Sequence, residues 1–145
     1  MPKTIISDSV GVKVVAGDSG LQIDSALASS PVMNLQALTA ATTLTGGGVY
    51  TISSTGALTM TMPLASSVPG ATFIVRCASA HAHALTGSQE ANGTLVFTGH
   101  VGTTPDSSGS KLTLPATVGS SVALVSDGLK FLVMAASGTI TINGT

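Results

Sequence analysis

Charge is scarce in this chain. Asp, Glu, Lys and Arg together make up 8% of its 145 residues, where soluble domains usually carry about 25%. The five bases, Lys3, Lys13, Arg76, Lys111 and Lys130, are scattered. No basic stripe exists to displace counterions from a phosphate backbone, which argues against nucleic acid as a partner. Cysteine occurs once, at Cys77, so there is no internal disulfide framework. Trp is absent, and the aromatic residues are Tyr50, Phe73, Phe97 and Phe131. No apolar run approaches the roughly 20 residues of a membrane-spanning helix, and no membrane partner is expected. The opening MPKTIISDSVG has no apolar core of signal-peptide type. Synthesis in a cytoplasm is therefore expected.

What fills the chain is small. Thr (20), Ser (19), Ala (18) and Gly (17) account for about half of it. Leu, Ile, Val and Phe number 38, above the ~20% level below which disorder is expected. The net charge of −1 supplies almost no self-repulsion. A folded monomer with so little charge tends to associate. The composition thus points to a folded, β-rich assembly component with much of its surface covered by partners.

Two stretches repeat one pattern. ALTMTMPLASSVPGATF and, about fifty residues on, SKLTLPATVGSSVALVSDG each alternate apolar residues with Thr, stop at a proline, pass through a small-residue loop with a glycine, and re-enter an apolar run. Leu58, Met60 and Met62 share one face, as do Leu112 and Leu114, in the period-two pattern of half-buried strands. Pro63 and Pro115 cannot donate to a ladder and end those strands. Pro69 and Gly70 suit a type II turn. Phe73, Val75 and Cys77 share a face in Ala71–Cys77. SDG between Ser121–Val125 and Leu129–Met134 is a hairpin signal, and Ile140 and Ile142 share a face near the end. Ala82–Leu85 and Thr94–Thr98 flank a turn at GSQEANG, and GTTPDSSGS reads as a loop. The reading is all-β: residues 46–145 form a β-sandwich or jelly-roll-like domain of about eight to ten short strands at the spacing typical of such folds. Residues 1–45 form an extended N-terminal arm. In it Val10, Val12 and Val14 alternate within a short strand, AGDSG turns into Leu21–Ile23, and Asp24–Ala41 is a capped helical turn or coil.

Chemistry-bearing constellations are few. His81 and His83 are two apart, so on a strand both would point to one face and could ligate a metal, with His100 as a third ligand. Structural zinc usually takes four ligands, and only Glu90 and Cys77 offer a completion. The alternative is a pair of histidines beside a turn, and no metal is assigned. Cys77 follows Arg76, but neighbours on a strand face opposite sides, so a buried structural thiol is expected. Asp106 and Asp127 sit in Gly/Ser turns that favour Asp for its backbone hydrogen bonds. Asp8, Asp18 and Asp24 are spread through the arm. GDSG at residues 17–20 is similar to a serine-protease nucleophile segment, but the chain is too short for that fold. NGT at Asn92 and Asn143 fits a glycosylation pattern that means little without a signal peptide. No GxSxG or phosphate-loop motif occurs. No catalytic residue and no cofactor are assigned, and an enzyme is not expected.

The two proline-ended units, followed by GLKFLVMAASGTITING, resemble modules of tailed-bacteriophage structural proteins, in particular capsid decoration (cement) proteins. The resemblance covers about residues 46–144. Such modules often carry Trp in the strand after the hairpin, where this chain has Phe131. The resemblance implies a homotrimer on the outer capsid surface of a virion, bridging neighbouring copies of the major capsid protein and stabilising the head. An arm that adds a strand to a neighbour's sheet would serve that purpose, and Val10, Val12, Val14 and Val15 are the candidate contacts. The alternatives are a trimeric phage tail-fibre or receptor-binding domain and, from another class, a cupin-like metal-binding protein built on HAH.

Overall fold

The computed structural model describes residues 12–13, 22–23, 33–87, 96–101 and 104–144. The chain divides into Met1–Val32 and Met33–Thr145. In the first unit, β1 (Val12–Lys13) pairs antiparallel with β2 (Gln22–Ile23), with Val12 opposite Ile23. Val10, Val14 and Val15 lie outside the described residues.

The second unit is all-β, with one 3-10 turn at Ala65–Ser67 and no α-helix among the described residues. Its strands are β3 (Asn34–Leu38), β4 (Gly48–Ile52), β5 (Thr59–Met62), β6 (Thr72–Cys77), β7 (His83–Gly87), β8 (Phe97–Val101), β9 (Thr104–Gly109), β10 (Lys111–Leu114), β11 (Ser121–Ser126), β12 (Phe131–Ser137) and β13 (Thr141–Asn143). A seven-stranded sheet runs β3-β4-β6-β11-β12-β8-β9, and a four-stranded sheet runs β13-β10-β7-β5. Three details depart from the sequence reading. The unit starts at Met33 rather than after residue 45, because Asn34–Leu38 is an edge strand of the larger sheet. The segment expected to be a loop, GTTPDSSGS, contributes β9. Strand β8 starts at Phe97 and leaves out Val96, while Thr94 and Leu95 of the expected strand lie outside the described residues.

From β4 to β7 the chain alternates between sheets. β4 pairs parallel with β6, and β5 pairs parallel with β7. Residues 48–87 therefore wind as a flattened coil, with each return laid beside the strand before it. The path then reverses, and β10 and β11 lie antiparallel to β7 and β6.

The two proline-ended units are β5–β6 and β10–β11, and their corners are wired alike. The Gly70 N–H donates to the Ser126 carbonyl, and the Ser126 N–H returns to Ala71. In the second corner, the Gly119 N–H donates to the Cys77 carbonyl, and the Cys77 N–H returns to Ser120. Each corner glycine thus ties to the last residue of the neighbouring strand. A local two-fold between β6 and β11, passing through the paired residues Ile74 and Ala123, relates the corners. Gly70 (φ 76°) and Gly119 (φ 92°) hold a left-handed conformation that side chains resist. The sequence repeats because one corner, used twice in opposite directions, closes both sheets over the same core.

That core lies between the sheets. Tyr50, Ile52, Phe73, Val75, Val122, Leu124, Phe97 and Phe131 from the larger sheet meet Met60, Met62, Leu85, Leu112 and Leu114 from the smaller one. All the chain's aromatic residues are buried here in one row. Tyr50 stacks near Phe73 (6.2 Å), Phe73 meets Phe131 edge-on (5.6 Å), and Phe131 lies 6.1 Å from Phe97. Each fully buried side chain of this size contributes about 1.5–3 kcal/mol.

Candidate interaction surface and the histidine cluster

The pleat that buries Tyr50, Phe73 and Leu124 turns their neighbours outwards. Register then sets the outer residues in rows across the larger sheet. One row reads Leu35, Val49, Ile74, Ala123 and Ala135. It is apolar from end to end. A β-bulge in β12 opposes Met134 and Ala135 to Ala123, which leaves Met134 65% exposed at one end of the row, while Leu35 is 72% exposed at the other. The adjacent row, Ala37, Thr51, Arg76, Ser121 and Ser137, contains a single charge, on Arg76. On the other side Thr72, Val125 and Leu132 are uncharged. Across these three rows the outer face of the larger sheet carries one charge, on Arg76. Sequence reading registered the composition but could not assemble this row, because its residues come from strands far apart in the chain.

The row ends at an open edge. β3 pairs with β4 along one side, in parallel, and no described residue pairs with its other side. The Ser53 N–H donates to the Leu38 carbonyl, so Leu38 points its backbone groups towards β4. By alternation Gln36 and Asn34 do the same, while Leu35 and Ala37 aim N–H and C=O outwards. Met33, beside them, is 43% exposed. The strand NLQAL carries none of the Lys, Glu or Pro that usually protect an edge.

The histidines are arranged differently from the expected pair. β7 begins at His83, and His81 lies in the bend before it, so the two do not share a strand face. His83 is buried. Its Nδ1 accepts the Leu58 N–H at 3.1 Å, and its Nε2 lies 2.9 Å from Ser79 Oγ. An acceptor at Nδ1 places the ring proton on Nε2, which donates to Ser79. Both ring nitrogens are thus committed within the protein. Burial, and then the neighbouring His81, lower the His83 pKa from its ordinary value of 6.5. The Cys77 thiol donates to the Ser79 carbonyl at 2.8 Å and lies 3.5 Å from the His81 carbonyl. It is fully buried. Cys77, Ser79 and His83 therefore hold one bend between β6 and β7 and pin it to the start of β5. His100 lies in β8, but its side chain, like Glu90, lies outside the described residues. Among the described residues no three His, Cys, Asp or Glu side chains converge on a metal position.

Other polar groups also serve the backbone. Ser126 donates to the Ala65 carbonyl at 2.8 Å and accepts from the Gly128 N–H at 3.2 Å. Asp127 Oδ1 accepts from Leu129 and Lys130, each at 2.7 Å. The Lys130 and Leu129 N–H groups hold its carboxyl below the usual range. Among the described residues every buried side-chain nitrogen or oxygen has a partner. No described helix is long and apolar enough to cross a membrane. The buried polar side chains of the described unit serve its corners and bends, and the apolar outer face with its open edge is a candidate surface for other molecules. No protein-family model and no curated protein matches the chain.

Proposed function

We propose that this chain is a structural protein of a tailed-phage virion, seated on the outer capsid surface as a trimer and clamping neighbouring major capsid subunits. The observation that carries this reading is the uncharged outer row from Leu35 to Ala135 on a two-sheet unit. Exposed apolar surface of this kind marks a place for another protein. Sandwich geometry suits the role. The wound, partly parallel path of β4 to β7 makes it a coiled sandwich rather than the all-antiparallel jelly roll. The fibre alternative would present aromatic rings to sugars, whereas all four rings of this chain are in the core.

In this mechanism, linking three weak contacts in one trimer multiplies their effect, because each later contact forms intramolecularly. The arm supplies a strand to a neighbouring sheet edge, and the outer face supplies apolar contact. Immunogold labelling of intact particles tests the location: label over the head is expected, and label confined to the tail would transfer the protein to the fibre class. Deleting residues 1–20 is expected to abolish co-sedimentation with capsids while leaving the Met33–Thr145 unit folded. Undiminished binding of the truncated chain would refute the clamp.

A further inference from the structure

We infer that β3 is a self-association edge, pairing antiparallel with β3 of a second copy about a two-fold axis at Gln36. The backbone specifies a strand as the occupant. Leu35 and Ala37 direct their N–H and C=O groups away from β4, and an antiparallel strand answers such groups in pairs. Three symmetric registers satisfy the requirement that outward-facing residues meet each other, centred on Leu35, Gln36 or Ala37. Centring on Gln36 pairs all of Asn34–Leu38: Leu35 faces Ala37 of the second copy, Ala37 faces its Leu35, and each pair exchanges both backbone bonds.

Charge selects the same chain as partner. In this register Gln36 faces its own copy, and Leu35 and Ala37 lie diagonally across from theirs, so charges at these positions would be set near like charges at a cost. NLQAL has none. The 72% exposed Leu35 gains an apolar neighbour in Ala37 of the second copy, and through that pair the row Leu35, Val49, Ile74, Ala123 runs on into the second copy's row Ala37, Thr51, Arg76, Ser121. Two seven-stranded sheets become one continuous sheet, and an edge otherwise open to indiscriminate pairing is closed. The contact is two-fold, so it joins protomers in pairs whatever three-fold contacts they also make, and it does not depend on the capsid reading.

The test uses the purified full chain. In this register the Gln36 residues form the non-hydrogen-bonded pair across the axis, with Cα atoms about 4.5 Å apart, inside the range of about 4.4–6.8 Å that a disulfide spans. Gln36→Cys is expected to cross-link to its own copy under mild oxidation. Ala37→Cys, facing Leu35, is expected to give little cross-link. Cys77 is fully buried and does not compete. Leu35→Lys, at an exposed position that leaves the core intact, is expected to reduce the sedimentation mass to half the wild-type value and to abolish the Gln36→Cys cross-link. Three outcomes would overturn the inference: no Gln36→Cys cross-link in a folded protein, stronger cross-linking at Ala37→Cys, or a wild-type mass that Leu35→Lys does not change. An edge covered by another segment or by a foreign protein would show itself as the first or the third.

Discussion

Protonating His83 would set two donors against each other, since its Nδ1 already receives the Leu58 N–H. Burial, and then the neighbouring His81, hold the imidazole pKa below 6.5 in the folded state. The sign follows from linkage. Above 6.5 both folded and unfolded chains are neutral at this site, and stability is complete. As pH falls below 6.5 the unfolded chain takes up the proton first, and stability is lost down to the depressed folded value. Urea midpoints measured across that window are expected to fall for the wild type and to fall less for His83→Asn, whose side-chain oxygen can still accept from Leu58. At the corners the limit is conformational. Gly119 has open space around the position of a Cβ but a φ of 92°. Gly119→Ala is expected to cost about 1–2 kcal/mol from the left-handed backbone alone. Gly56→Ala, equally open and without a positive φ, should be close to neutral in the same denaturation experiment.

Strands β6 and β11 form the central element pair, because the two corners, the aromatic row and the outer apolar row all cross them. Leu124 faces Phe73 in their register, and both are fully buried. Leu124→Ala is expected to lower unfolding stability by about 2–5 kcal/mol, the range for a large-to-small change in a packed core. A comparable truncation at half-buried Val49 on the outer face should cost less, which equilibrium unfolding of the two variants would establish. Edge elements follow different rules. β3 and β9 have little apolar material to bury, and their pairing is largely a matter of backbone hydrogen bonds. For that reason their side chains announced them poorly.

For the molecule as a whole, low charge, an apolar outer face and an open edge act in one direction. A net charge of −1 offers little long-range repulsion to keep copies apart, and the exposed row rewards contact. Association is accordingly expected to be insensitive to moderate salt, since few charges are available to screen. The same surface accounts for the virion proposal and for the two-fold inference. The two can fail separately: one is read on particles, the other on purified protein.

The sequence by itself determined the local elements wherever a strand has one wet and one dry face. Met60 with Met62, Phe73 with Val75 and Cys77, and Leu112 with Leu114 are all buried on the faces that period-two alternation assigned them. Pro63, Pro115 and the corner glycines stand where strands stop and turn, because their backbone constraints do not depend on distant contacts. The tertiary structure decided everything that depends on pairing. Asn34–Leu38 lacks β-branched residues, and Thr104–Gly109 has turn-like composition, yet both are strands because neighbouring backbones supply their hydrogen bonds. His81 and His83 were separated by a bend that Cys77 and Ser79 hold in place. Strand order, the parallel winding of β4 to β7 and the outer row that crosses it are relations between distant residues. Alternation along one strand carries no information about which strand will lie beside it.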